Sequence, residues 1–277
     1  MTPLAKLAAG GFAMLALLAG LMPRDASGPA GRGGLTLYCA AAMRGPMEPI
    51  AAAYQRETGV AVSLRYGGSN TLLSQIEVTR RGDLFLAADE SFVAAGRAKG
   101  LIAGSAPIAT MRAVLAVPAG NPAGVRSLAD LRGIRVACGN PDLTAIGAAT
   151  RAALAEAGTW REFDRLVRGR GVYKPTVADV ANDVGLGAVD AGVVWDAVAA
   201  QRPTIEAVDE HALRRAVARV AVGVLACSGQ PERAERFANY LASAPFPRSV
   251  FAGYGYSEIT DAGGALPAAS MDEAAPK

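Results

Sequence analysis

Between Leu35 and Leu241, short apolar runs of strand length alternate with segments of helical period, and this alternation constrains the fold more than any other feature of the chain. Leu35–Ala41 is a compact apolar run. It is followed by Pro46–Thr58, where Met47, Ile50, Ala51 and Tyr54 recur at helical spacing with Pro in the first turn. Val60–Tyr66 alternates as a strand does, Thr71–Arg80 reads as a helix, Asp83–Ala88 as a short buried strand, Ser91–Lys99 as a helix and Ala113–Pro118 as a strand. The logic then repeats with strand Ile134–Cys138, helices Ala145–Ala157 and Val177–Leu186, strands Ala191–Trp195 and Ala218–Ala226, and helix Glu232–Leu241. Strands alternating with crossover helices predict α/β architecture, with mostly parallel sheets flanked by helices. Two such series predict two lobes, residues 34–112 plus 219–258 and residues 113–218, joined by the strands near Ala113–Pro118 and Ala218–Ala226.

The ends of the chain carry no part of this pattern. Residues 1–30 hold one Lys, then an uncharged stretch from Leu7 to Met22, then Pro23-Arg24, which reads as a secretory signal or an N-terminal anchor. Sixteen uncharged residues are slightly short of the roughly 20 that a membrane span needs. The segment implies a periplasmic or other extracytoplasmic location. Residues 259–277 are rich in Ala, Gly, Pro and Asp without an apolar period and read as a disordered tail.

Charge and metal-ligand counts exclude several chemistries. A net charge of +3, interspersed along the chain, is no nucleic-acid footprint. One His and three Cys without a CxxC pair argue against a zinc site. His211, in a polar stretch, reads as a surface or helix-start residue. Cys39, Cys138 and Cys227 lie in or at the end of apolar runs and read as buried free thiols, with one disulfide plus an odd thiol as the alternative. Asp179, Asp183, Asp190 and Asp196 read as caps and solvated faces rather than a cation site. No G-x-S-x-G elbow, Walker loop or Rossmann G-x-G-x-x-G is present, so neither an enzyme nor a bound cofactor is expected.

In α/β folds ligands bind at the carboxyl ends of strands, so the strand-to-helix turns are the informative places. Four share one character: Ala40-Ala41-Ala42-Met43, Gly67-Gly68-Ser69-Asn70-Thr71, Asp142-Leu143-Thr144-Ala145-Ile146-Gly147 and Pro175-Thr176-Val177. Each puts small or hydroxyl residues ahead of a helix with no charged side chain at the tip. Ser69, Thr144 and Thr176 can each be explained as N-caps alone. Four such turns, two in each expected lobe, point to an anion held on helix N-termini between the lobes.

From Leu35 to about Tyr256 the chain resembles the molybdate-binding proteins of ABC importers, which have the type II periplasmic binding fold. The resemblance is carried by Leu37-Tyr38-Cys39-Ala40-Ala41-Ala42 and by Gly67-Gly68-Ser69-Asn70-Thr71-Leu72 with Gln75-Ile76-Glu77. Gly82–Asp89, Gly139-Asn140-Pro141-Asp142, Gly187–Trp195 and the closing Gly253-Tyr254-Gly255-Tyr256 extend it. It implies capture of a small tetrahedral oxyanion, molybdate or tungstate foremost, by a monomer that delivers it to a membrane permease, with no nucleic-acid partner. Such sites use Ser and Tyr hydroxyls and backbone amides without a counter-charge.

Residue by residue, Ser69 matches a ligand serine, Ile146 and Val177 match amide donors, and Asn70 and Trp195 complete the walls. Three places depart from the family pattern: Ala42 stands where the family has a hydroxyl, Trp195 where it has a tyrosine, and the bulkier Ala145-Ile146-Gly147 where it has a proline-alanine-glycine turn. A hydrogen bond to a charged group contributes about 1.5–3 kcal/mol, so the hydroxyl missing at Ala42 weakens oxyanion binding by about ten-fold to over a hundred-fold unless Asn70 or Trp195 compensates. Sulfate, phosphate or a ferric complex, the last through Tyr254 and Tyr256, and a sensor or enzyme reusing the fold, are the rival readings.

Overall fold

The computed structural model describes residues 33–259. The expected signal or anchor at 1–30 and nearly all of the expected tail, 260–277, lie outside the described residues. In chain order, strands β1 (Leu35–Ala40), β2 (Val62–Gly67) and β3 (Leu84–Ala87) alternate with helices α1 (Arg44–Thr58), α2 (Ser69–Thr79) and α3 (Glu90–Ala98). A 3-10 turn, Ala41–Met43, leads into α1. The long strand β4 (Ile102–Pro118) is followed by β5 (Val136–Gly139), α4 (Ala145–Glu156), α5 (Trp160–Arg170), β6 (Val172–Lys174), α6 (Val177–Gly185) and β7 (Ala191–Trp195). Last come α7 (Asp196–Ala200), β8 (Ile205–Val208), β9 (Val217–Leu225), α8 (Pro231–Ser243) and α9 (Pro245–Gly253).

The strand order is β2-β1-β3-β9-β4-β7-β5-β6, with β8 also pairing with β4. Parallel pairs lie toward the two ends of this order, β1 with β2 and β3, and β5 with β6 and β7. Antiparallel pairs lie in the middle, where β4 and β9 run. β4 spans both halves. Residues Ile102–Arg112 pair with β9, and from Ala113 the partner becomes β7.

The apolar runs are continuous because the strands are covered on both faces. In β1 and β3, Leu37, Cys39, Leu84 and Leu86 pack into the main core, where α1 contributes Met47, Ile50 and Tyr54. The alternate residues Tyr38, Phe85 and Ala87 face Leu72, Leu73, Ile76 and Val93 of α2 and α3. This period-two division fixes the register, so the carboxyl ends of β1, β2 and β3 finish at a common edge.

The structure places the cysteines, His211 and the four aspartates singled out in the sequence. Cys39 and Cys138 are buried free thiols, and Cys227 is a free thiol but only half-buried. Burial pushes the Cys138 thiol up to about 12, so it stays protonated. His211 is exposed at the start of a 3-10 turn. Each of the four aspartates has a structural partner. Asp179 accepts from Thr176 Oγ1 at 2.6 Å, Asp183 pairs with Lys174 at 2.8 Å, Asp190 with Arg135 at 2.7 Å, and Asp196 accepts from the Arg112 N–H at 3.0 Å. No cluster of metal-ligating side chains occurs among the described residues. Among the same residues, no helix is long and apolar enough to cross a membrane.

Candidate functional site

The four turns singled out in the sequence converge on one narrow cleft. One wall is formed by Ala40, Ala41 and Ala42, by Gly67, Gly68 and Ser69, and by Ala88 at the end of β3. The other is formed by Thr144, Ala145 and Ile146, by Thr176 and Val177, and by Trp195 at the end of β7. The structure therefore brings five of the six expected residues together: Ala42, Ser69, Ile146, Val177 and Trp195. Asn70 is not among the lining residues. Its side-chain amide donates to the Asp142 carbonyl at 2.6 Å, and its backbone N–H to the Leu143 carbonyl at 3.2 Å. Ala88 escaped the sequence reading, and a small residue at the carboxyl end of a strand is the signal that marks it.

Local sequence explains why donors point into the cleft. The first N–H groups of a helix have no acceptor within it. In α4, Thr144 is the N-cap. Its Oγ1 accepts from the Gly147 N–H at 3.1 Å, and its carbonyl from Ala148 at 3.0 Å, which leaves the amides of Ala145 and Ile146 without an acceptor among the described residues. The Thr144 hydroxyl itself donates to the Asn140 carbonyl at 2.9 Å. Gly147 is required by this close turn, since a Cβ there would run into the Gly139 carbonyl oxygen. In α6 the N-cap is Thr176. It binds the Asp179 N–H at 3.2 Å through Oγ1 and the Val180 N–H at 3.3 Å through its carbonyl, leaving the amides of Val177 and Ala178.

On the opposite wall α2 starts on Gly68, which offers no side-chain cap. Ser69 is buried, and its Oγ accepts from the Ala88 N–H at 3.2 Å, so its own hydrogen remains free to donate. Trp195 is 1 % exposed, and its indole N–H has no acceptor among the described residues. Ala42 lies on the 3-10 turn. Its carbonyl accepts from Tyr256 Oη at 2.5 Å, and burial holds that phenol well above its ordinary range and therefore neutral. Tyr256 also packs edge-on against Phe251, with ring centroids 5.1 Å apart. The phenol is thus engaged in the core and is not free to ligate a ferric ion.

Among the described residues, no charged side chain lines the cleft. Its lining includes Ser69 with its free hydroxyl, the Trp195 side chain and helix N-termini, each carrying about half a positive charge. Such an arrangement fits an anion. The free space between the walls is only about 10 Å³, against roughly 300–1,000 Å³ for pockets that take drug-sized ligands, so a ligand here is small and the walls part to admit it. A larger cavity of about 170 Å³ lies beside α9 and β4. It is bordered by the carbonyl end of α9 and by both Arg248 and Glu258, and so lacks converging donors of one sign.

Residues 35–257 match the family model of the bacterial extracellular solute-binding proteins. The chain belongs to this family. Among solute-binding relatives, the molybdate-binding protein ModA of Mycobacterium tuberculosis is 27% identical over 253 residues, covering 84% of this chain and 92% of that protein. A binding protein of Haemophilus influenzae is 42% identical over 59 residues, so that match spans only 24% of the relative's length. The periplasmic molybdate-binding protein of Azotobacter vinelandii superposes with a TM-score of 0.69 at 21% identity, covering 81% of this chain and 99% of that one. At that identity the likeness establishes the fold, that of the type II periplasmic binding proteins.

Proposed function

We propose that this chain captures a small tetrahedral oxyanion, molybdate or tungstate foremost, outside the cytoplasmic membrane and hands it to the permease of an ABC importer. The observation that carries the reading is the convergence of uncommitted neutral donors on a small cleft without a charged side chain. The mycobacterial relative that covers most of the chain is named for binding molybdate, which supports the same ligand class. On this reading the site holds and releases its ligand without a chemical step or a cofactor, in keeping with the binding-protein relatives. Residues 34–112 with 219–258 and residues 113–218 act as the two lobes. They close on the ion by hinge motion about β4 and β9, in a monomer exported by its N-terminal segment. Nucleic acid has no part in this function.

Donors without acceptors also discriminate. Near neutral pH phosphate carries a proton, which would face another donor rather than a carboxylate, whereas molybdate, tungstate and sulfate present only acceptors. A thermal-shift panel with molybdate, tungstate, sulfate, phosphate and ferric citrate tests the reading. A ligand at about 100 times its Kd adds roughly 2.7 kcal/mol, which raises Tm by roughly 5–10 °C for a protein of this size. Molybdate or tungstate is expected to give the largest rise and ferric citrate none, with little change from pH 6 to 8. If no oxyanion moves Tm, the reading fails.

A further inference from the structure

Gly68 and Asn70 touch the opposite wall of the cleft rather than completing their own, and we propose that they form a latch that sets how long the bound ion is retained. The inference rests on the cleft being the ligand site. Asn70 reaches residues 72 positions away in the chain, donating from Nδ2 to the Asp142 carbonyl at 2.6 Å and from its backbone N–H to the Leu143 carbonyl at 3.2 Å. The receiving turn is stiff. The N–H of Asp142 donates to Asn140 Oδ1 at 2.8 Å, and that of Leu143 to the Asn140 carbonyl at 3.1 Å.

Gly68 gives the second, independent observation. Its backbone sits at φ −71° and ψ 145°, which any residue adopts, so its own conformation does not call for glycine. A Cβ there would stand 2.7 Å from the Leu143 carbonyl oxygen and 2.9 Å from that of Pro175, both main-chain atoms of the opposing wall. Glycine is needed because the second wall closes onto it. These contacts use main-chain carbonyls of the loops that carry α4 and α6, so they form only when the donor sets of both walls face each other. Ion-free protein divides between this contact and an open arrangement, so a bound ion must break the contact to leave, whereas a free ion enters through the open population.

Two substitutions test the latch. Asn70→Ala removes the side-chain bond, and Gly68→Ala inserts a wedge that the backbone tolerates in itself. Nitroxide labels at the exposed positions Val78 and Leu186, placed in a Cys227→Ser background, report the separation of α2 and α6 by pulsed electron resonance in dialysed, oxyanion-free protein. Gly68→Ala is expected to move the distance distribution to longer values, and Asn70→Ala to move it part of the way. With molybdate as the probe, stopped-flow fluorescence of Asn70→Ala is expected to show dissociation about two- to ten-fold faster with association unchanged within about two-fold. Unchanged distances in Gly68→Ala, or an affinity loss carried by association, would overturn the latch. Should the unsubstituted protein bind no oxyanion, the distances alone still decide it, so its failure is separable from that of the ligand assignment.

Discussion

On one wall of the cleft α2 begins on a glycine without a side-chain cap, whereas on the other α4 and α6 each begin on a threonine whose hydroxyl closes back onto its own helix. The consequence is a division of labour. Thr144 and Thr176 use their hydroxyls to hold the first turn of each helix, so the second wall offers main-chain amides in fixed positions together with the Trp195 indole. Ser69 stands one position inside its helix. It accepts from Ala88 with a lone pair and keeps its hydrogen, so the first wall offers a side-chain hydroxyl. Binding should therefore depend on side-chain identity on the first wall and largely on the main chain on the second.

Replacing Ser69 with Ala should have the largest effect. It removes the donor and leaves the buried Ala88 N–H without its acceptor. Oxyanion affinity measured by calorimetry should fall about ten-fold to over a hundred-fold, and denaturant unfolding should show a loss of about 1–3 kcal/mol. On the second wall, Trp195 apart, only a change to the backbone should match this. Val177 is the first residue of α6 and follows an extended Thr176 (φ −141°, ψ 158°), a position that suits proline on both counts. Val177→Pro should cost about ten-fold or more in affinity while Tm stays within a few degrees. Equal affinities would break the comparison, because the amide would then be no donor.

Adding a hydroxyl to the first wall tests it in the opposite direction: Ala42→Ser should tighten molybdate binding by about ten-fold. No gain would mean that the Trp195 indole has remodelled the site around the missing hydroxyl. The smallest effect belongs to the frame beneath the second wall, where Asp190 accepts from the Arg135 backbone and guanidinium at the foot of β5 and β7. The Arg135 guanidinium holds the Asp190 carboxyl below its ordinary range. A carboxylate with a depressed pKa stabilises the fold above its unfolded value of about 3.9, and that contribution is lost as pH falls through the lower folded value. Asp190→Asn should thus cost about 1 kcal/mol at pH 7, limited by solvent screening at the half-exposed Arg135. By calorimetric melting the difference should fade below about pH 4, with ligand affinity unchanged.

Much of this was legible in the sequence because the site is built from strand ends, and strand ends are marked by a change from apolar runs to small and hydroxyl residues. The meeting of Ala42, Ser69, Ile146, Val177 and Trp195 follows from that marking together with the family resemblance. Asn70 was read as part of the ligand wall because nothing in Gly68-Ser69-Asn70 says which carbonyl an amide will find 72 positions away. The elements that were missed have physical reasons. The α5 sequence is heavily charged and buries only Phe163 and Val167, which leaves too sparse an apolar period. β6 and β8 have three and four residues, too short to show alternation. The early part of β4 contains Gly104 and Pro107, residues that interrupt a strand pattern. The strand continues through them with register shifts at Ile102/Gly104 and Pro107/Ala109. α9 opens Pro245-Phe246-Pro247, where one proline at the helix start is expected but two resemble a turn.

The central claim is that neutral main-chain and side-chain donors from both walls hold the anion. It is tested most directly by following backbone amide and indole resonances in ¹⁵N-labelled protein titrated with molybdate. The account requires the amides of Ser69, Ile146 and Val177 and the Trp195 indole N–H to move downfield together, saturating at one ion per chain. Shifts confined to arginine-bearing surfaces, or movement of one wall without the other, would contradict it.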